Sequence, residues 1–359
     1  MGFFMLATPA TIIALRLGSG PLADVMAWVA FPWIAFAGLA TMLFAVRDGF
    51  RMIVWAVQRL RALRAGPPAV VRPEDPARRQ FLAQVTGGAI ATAAVGAGAV
   101  GARTALGEHQ IETVEIHLAK LPPALDGFTI TQLTDLHVGL TIDTSFVEDV
   151  VAVANGLGSD LIVLTGDLVD GPVDHVRDRT APLGNLRAPH GVFAVTGNHE
   201  YYSDADAWLP VLSALGIRFL RNERVAIGRG ADTFDLLGID DFTASHYDGH
   251  GMDLAKATAG RDLSRAAVLL AHQPRQVRAA SANNIDLQLS GHTHGGQIWP
   301  WHYVVKIQQR GFLAGHTWHR DTQLYTSRGV GYWGPPVRIG APPEITRIVL
   351  RRGEPVRDG

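Results

Sequence analysis

The chain has 359 residues, 32 basic and 33 acidic side chains for a net charge of −1, and no cysteine. That length predicts at least two folded units. The lack of thiols excludes disulfide staples, thiolate metal sites and a cysteine nucleophile, and the balanced charge offers a nucleic acid no basic surface. Charged residues are only 18% of the total, against about 25% in ordinary soluble domains, which predicts that part of the chain lies in lipid.

Residues 1–110 read as a membrane region. A first apolar stretch, 2–17, ends at Arg16-Leu17 and is either a short spanning helix or the remnant of a start-site choice. Residues 25–46 carry no charge before Arg47 and suffice to cross about 30 Å of hydrocarbon. A third run, 80–103, is rich in small residues and reads as a span, with a Gly/Ala-rich linker as the alternative. The loop between, 47–79, holds eight arginines and three acidic residues, a net +5 that places it in the cytoplasm by the positive-inside rule. Within it, Phe50, Ile53, Val54, Val57 and Leu60 recur at helical spacing, so 50–60 is expected to lie as an amphipathic helix on the inner membrane surface. Arg78-Arg79-Gln80-Phe81-Leu82 matches the twin-arginine export pattern; two ordinary positive-inside arginines are the other reading. Either way, the chain beyond residue 110 is expected outside the cytoplasmic membrane.

From 111 to 359 the composition is that of an α/β domain. Apolar runs at 128–137, 160–170, 191–200, 232–241, 266–274 and 285–297 alternate with helical patterns around 144–156 and 204–215. Such near-continuous Val/Ile/Leu runs are how strands buried on both faces read. Each ends in a polar cluster, and the carboxyl edge of strands is where ligands bind in open α/β sheets. The clusters supply Asp135, His137, Asp167, Asn198, His199, Glu200, His272, His292 and His294, including five of the 14 histidines. The pairs Asp135/His137 and His292/His294 sit at i, i+2, which puts two side chains on one face of an extended segment and lets each pair grip one metal ion. Asp170, Asp240 and Asp241 read as turn or capping residues, and Ser203 as a surface position. Glycines 166, 197, 291, 295 and 296 are either sharp turns beneath the site or generic loop glycines. Trp299, Trp301 and Tyr332-Trp333 form either an apolar lip at the membrane or packing beneath a sheet.

Asp135-Leu136-His137, Gly166-Asp167, Gly197-Asn198-His199-Glu200, Ala271-His272 and Gly291-His292-Thr293-His294, in this order, resemble the motifs of the calcineurin-like metallophosphoesterase superfamily. The extended segments GHTHGGQ at 291–297 and SRGVGYWGPPVRIGAPPEIT at 327–346 are similar to its membrane-associated bacterial branch, described as UDP-2,3-diacylglucosamine hydrolase-like. The resemblance implies a four-layer α/β/β/α sandwich of two mixed sheets. It also implies a first metal on Asp135, His137, Asp167 and His294, and a second on Asn198, His272 and His292 with Asp167 bridging. His199 is implied as the proton donor, with Asp135 as its orienting partner, and Glu200 as structural.

Imidazole, carboxylate and amide ligands without thiolate suit Mn²⁺, with Fe or Zn²⁺ next. The expected protein is thus a membrane-anchored two-metal hydrolase of a phosphodiester, pyrophosphate or phosphomonoester, lipid-linked substrates included. The branch name points to a lipid A precursor, while the expected topology points away from a nucleotide-activated, cytoplasmic substrate. A metal-bound scaffold without catalysis is the alternative. The expected partners are the membrane and a phosphate ester, with no nucleic acid.

Overall fold

The computed structural model describes residues 20–65, 75–355 and 357. The expected span at 2–17 and part of the basic loop, including Arg72 and Glu74, lie outside the described residues. Two long helices come first, α1 (Pro21–Ala65) and α2 (Pro76–Ala105), and both are long and apolar enough to cross a membrane. They form a hairpin in which Leu39 reaches Gly98. Asp75 caps α2 by accepting the Ala77 amide, and Pro76 sits in the first turn, where a missing N–H is harmless.

The amphipathic segment at 50–60 is not a separate surface helix. α1 runs unbroken through Arg47-Asp48-Gly49, because one glycine costs a helix only about 1 kcal/mol and no proline interrupts the stretch from there to Ala65. At about 1.5 Å per residue α1 is roughly twice as long as the hydrocarbon core is thick. The part beyond a span at 25–46 therefore continues along the helix axis, with Phe50, Ile53, Trp55 and Leu60 exposed.

The remaining helices are α3 (Thr144–Gly156), α4 (Val173–Thr180), α5 (Asn198–Tyr202), α6 (Ala205–Ala214), α7 (Leu254–Thr258), α8 (Val277–Ala282) and α9 (His302–Gln308). The strands are β1 (Gln110–Leu118), β2 (Thr129–Leu133), β3 (Leu161–Thr165), β4 (Val192–Val195), β5 (Arg218–Phe219), β6 (Glu223–Arg229), β7 (Asp232–Gly238), β8 (Ala267–Leu270), β9 (Leu287–Ser290), β10 (Gly315–His319), β11 (Thr322–Thr326) and β12 (Glu344–Arg352). They form two sheets, ordered β1-β12-β2-β3-β4-β5 and β10-β11-β9-β8-β7-β6. Both are mixed: β2, β3, β4 and β5 pair in parallel, as do β7, β8, β9 and β11, while β12 on β2, β6 on β7 and β10 on β11 are antiparallel.

Period-two alternation sorts the side chains into layers. In β3, Leu161 and Val163 enter the core between the sheets, joined by Phe234, Val268 and Leu270 of the second sheet, while Ile162 and Leu164 face the helix-side core with Val147, Val150 and Trp208. In β8, Val268 and Leu270 point inward and Ala267 and Leu269 pack with Leu254 and Ala280. The result is the expected α/β/β/α sandwich. Gln132 ties the sheets together near their carboxyl ends, donating to Thr165 Oγ1 and to the Ser290 carbonyl, each at 2.9 Å.

The helical hairpin meets this sandwich at two places. Ala105, at the end of α2, joins the helix-side core with Leu136 and Val138. One turn earlier, a side chain on Gly101 would begin 2.5 Å from Val337 and 2.9 Å from Ile339, and the Gly101 carbonyl accepts the Arg338 amide at 2.9 Å. At the start of α1, Asp24 pairs with Arg179 of α4 through two contacts of 2.8 and 2.9 Å, and Arg179 also donates to the Gly139 carbonyl at 2.6 Å.

Candidate metal centre

Parallel pairing brings the carboxyl ends of β2, β3, β4, β8 and β9 to one edge, and every expected site residue lies just beyond a strand end there, Asn198, His199 and Glu200 in the first turn of α5. After β2 the chain does not stay extended. Asp135 (φ 56°) and His137 (φ 51°) are left-handed, with Leu136 between them buried in the helix-side core. His292 (φ 70°) and His294 (φ 49°) repeat the device after β9. The i, i+2 pairs therefore converge through two left-handed residues around a central one, not through a flat strand.

Three groups of ligand atoms result: Asp135, His137 and His294; His137, Asp167 and His199; and Asp167, His272 and His292. Asp167 is shared, with Oδ2 lying 3.0 Å from His272 Nε2 and 3.8 Å from His137 Nε2. Asn198 Oδ1 lies 3.2 Å from His272 Nε2. His294 Nε2 lies 3.5 Å from Asp135 Oδ1. His137 and His294 bring Nε2 atoms within 3.0 Å, and His272 Nε2 and His292 Nδ1 are 3.1 Å apart. Facing imidazole nitrogens beside carboxylates are a donor set that fits divalent cations. Burial opposes the charge on Asp167, but His272, His199 and His137 hold its carboxyl well below the usual range. Burial and the neighbouring His272 push His292 down to about 3, leaving its ring neutral.

Outer contacts orient the rings. His272 Nδ1 lies 2.8 Å from the Thr165 carbonyl, so it donates there and leaves the Nε2 lone pair facing the cluster. His137 Nδ1 does the same toward Asp170 Oδ2 at 3.2 Å. Asp135 is not the partner of His199: its oxygens accept the His292 amide at 3.0 Å. The other oxygen of Asp170 pairs with His199 Nδ1 instead. Burial opposes a proton on His199, yet Asp167 and Asp170 raise it to about 9. Asp170, read from sequence as a turn residue, thus supports two histidines at once; its place three residues after Asp167 in GDLVD was the available signal. Glu200 is structural as expected: its oxygens accept the amides of Asp167, Leu168 and Gly197 at 3.0, 2.6 and 2.5 Å.

Two glycines owe their identity to close approach. A side chain on Gly197 would begin 2.1 Å from Asp167 Oδ1, and one on Gly291 would begin 2.2 Å from Asp135 Oδ2. Arg338, not singled out from sequence, is fully buried. It donates to the carbonyls of Gly331, Ala341 and His294 and lies 3.1 Å from His294 Nδ1, beneath the cluster. Asp241 caps the turn after it by accepting the Thr243 amide, whereas Asp240 pairs with Arg221. Ser203 is buried, its hydroxyl accepting the Gly171 amide. Tyr332 is packed inside, whereas Trp299, Trp301 and Trp333 are 56%, 61% and 58% exposed and do not pack beneath a sheet. The Trp333 ring stands 6.0 Å from that of His199.

Residues 128–296 match the model of the calcineurin-like phosphoesterase family. Relatives include a transmembrane protein with metallophosphoesterase domain from Bos taurus, 39% identical over 252 residues, covering 67% of this chain and 57% of the relative. An uncharacterized metallophosphoesterase of Helicobacter pylori strain J99 is 40% identical over 247 residues, covering 68% of this chain and 65% of its own length. Another, YkuE of Bacillus subtilis strain 168, is 32% identical over 285 residues, with 76% of this chain and 97% of the relative covered. The chain thus spans somewhat under two thirds of the first two relatives' length and nearly all of the third. It belongs to the calcineurin-like phosphoesterase family, whose members are metal-dependent phosphoric ester hydrolases with a dinuclear site.

Proposed function

We propose that the chain is a membrane-anchored two-metal phosphoesterase hydrolysing a phosphodiester, pyrophosphate or phosphomonoester. The observation that carries this reading is the convergence of Asp135, His137, Asn198, His272, His292 and His294 on a shared, buried Asp167. Asp135, His137, Asp167 and His294 would hold one cation, and Asp167, Asn198, His272 and His292 the other, with Mn²⁺ first and Fe or Zn²⁺ next by donor chemistry. When bound, the pair supplies charge to offset the phosphate oxygens and a water acidic enough to attack near neutral pH.

The chain's own residues do the rest. Asp167 would serve both cations with its two oxygens and its charge, and Glu200 fixes the turn that carries it by accepting its amide. As the water oxygen forms its bond to phosphorus and the bond to the leaving oxygen breaks, His199 gives that oxygen a proton, with Asp170 on Nδ1 holding the ring in place. The +5 loop on the far side of the hairpin favours an extracytoplasmic catalytic domain. That orientation favours an envelope phosphate ester over a nucleotide-activated lipid A precursor.

The test is turnover of bis(p-nitrophenyl) phosphate by the detergent-solubilised full chain. Activity with Mn²⁺ that disappears on chelation and returns on reloading supports the reading. Stoichiometric metal binding without turnover of any diester, monoester or pyrophosphate would establish the scaffold alternative.

A further inference from the structure

We propose that the metal-bearing edge of the domain faces the bilayer, with Trp299, Trp301, Tyr303, Ile307 and Trp333 seated in its headgroup layer, so that the site draws its phosphate ester from an amphiphile in that layer. The substrate part rests on the phosphoesterase reading; the seating does not.

The argument starts from where the hairpin attaches. Both contacts fall at the strands' carboxyl edge. Arg179, which pairs with Asp24 of α1, also donates to the carbonyl of Gly139, two residues past His137. Arg338, whose amide takes the Gly101 carbonyl of α2, has its side chain under His294. A domain held to its spans by this edge turns the edge toward the membrane and the opposite strand ends toward water.

The exposed aromatics grow out of the same attachment point. Ile298 bridges to Ile339, one of the residues packed on Gly101, and the Trp299 amide donates to the Ile339 carbonyl at 2.9 Å. Gln297 then grips Trp333 at both ends of the peptide, donating to its carbonyl and accepting its amide, each at 3.0 Å. Helix α9 buries none of its residues although it presents Tyr303, Val304 and Ile307, the last 80% exposed. Exposed apolar side chains gathered in one place mark an interaction surface. Tryptophan and tyrosine favour the membrane–water interface, where a ring is half apolar and half wet. Lys306 and Arg310, exposed in and just after α9, add positive charge suited to anionic headgroups. The surface also reaches the chemistry, since Trp333 stands beside His199. A lipid seated there would carry its phosphate to the rim of the metal cluster.

The absence of native cysteine allows a direct test on the full chain in nanodiscs of phosphatidylethanolamine and phosphatidylglycerol. Trp301→Cys, Ile307→Cys and, as a control in the exposed turn before β8, Ser264→Cys each receive a nitrobenzoxadiazole label. Lipids with a nitroxide high on the acyl chain should quench the labels at 301 and 307 by about twofold or more and leave 264 nearly untouched, as for side chains at the acyl–headgroup boundary. Equal quenching at all three positions overturns the seating. So does a label at 301 that is already shielded in detergent and unquenched by lipid, the sign of a second copy covering the face. For the substrate, hexadecyl p-nitrophenyl phosphate and its methyl analogue share a leaving group. The disc-bound chain should prefer the hexadecyl ester by about tenfold or more in kcat/KM, and Trp301→Glu/Ile307→Glu should lose that preference. Equal kcat/KM in the unaltered chain overturns the amphiphile assignment. Quenching with no turnover of either ester or of any monoester or pyrophosphate sinks the phosphoesterase reading and leaves the seating in place.

Discussion

Asp170 holds His137 with one oxygen and His199 with the other, so one carboxylate orients a candidate metal ligand and the candidate acid together. Its removal should therefore show two separable effects. Asp170→Asn should weaken metal affinity or turnover by about 10–100-fold, the usual range for an outer partner of a ligating histidine. Saturating Mn²⁺ should recover only the metal part. What persists should be larger for alkoxide than for nitrophenolate leaving groups, because nitrophenolate needs no proton. The sign of the pH effect comes from charge: Asp170 favours the protonated imidazole, so the alkaline limb of the turnover profile should move to lower pH in the variant. A uniform loss on every leaving group with an unmoved limb would remove His199 from the acid role. Asp167→Asn should be more severe. The bridge loses its charge and half its donor capacity, so metal content by elemental analysis should fall toward one ion per chain and turnover should vanish. Two bound ions with full activity would refute the ligand assignment.

At the scale of elements, the junction between α2 and the 337–339 segment depends on a position without a side chain. Gly101→Val would drive methyl groups into Val337 and Ile339. Overpacking of this kind costs about 1–3 kcal/mol, so the variant should melt several degrees lower and expose the 327–341 segment to protease; an unchanged melting curve would mean the helix end is not docked in solution. The same scale shows what the amino-acid sequence made legible. Strands β2, β3, β4, β8 and β9 were readable because they are buried on both faces and end in chemistry. β1, β5, β6 and β10 were not, because edge strands with exposed or half-exposed residues, such as Gln110 to Val114, carry no apolar run. The candidate ligands were legible from motif order, while the left-handed backbone that aims them was not. Nor was the Asp170–His199 pairing, because an aspartate in a loop looks the same whether it caps a turn or holds an imidazole.

For the molecule as a whole, orientation decides which substrates are reachable. Both hairpin contacts lie on the domain side, at the start of α1 and the end of α2, so a hairpin that spans the bilayer would put the basic loop across it from the domain. With that loop in the cytoplasm, a cysteine at exposed Ser264 should react with a membrane-impermeant thiol reagent on intact spheroplasts. Labelling only after lysis would place the domain inside and bring a nucleotide-activated lipid back as the leading substrate.

The left-handed residues of the cluster have a further consequence, one of trade-off. Asp135, His137, Asp167, His292 and His294 all adopt φ between 49° and 70° without being glycine, and such a backbone costs an L-residue about 1 kcal/mol or more. Summed, this is a sizeable share of the roughly 5–15 kcal/mol that keeps a domain folded. The molecule is thus less stable than its scaffold allows, and a bound cation would offset the deficit through mass action. His292→Gly relieves the backbone and deletes a ligand together. Stripped of metal, it should melt no lower than the stripped parent; loaded with Mn²⁺, the parent should rise well above it. A variant that melts lower in both conditions would show that the imidazole itself holds the fold together.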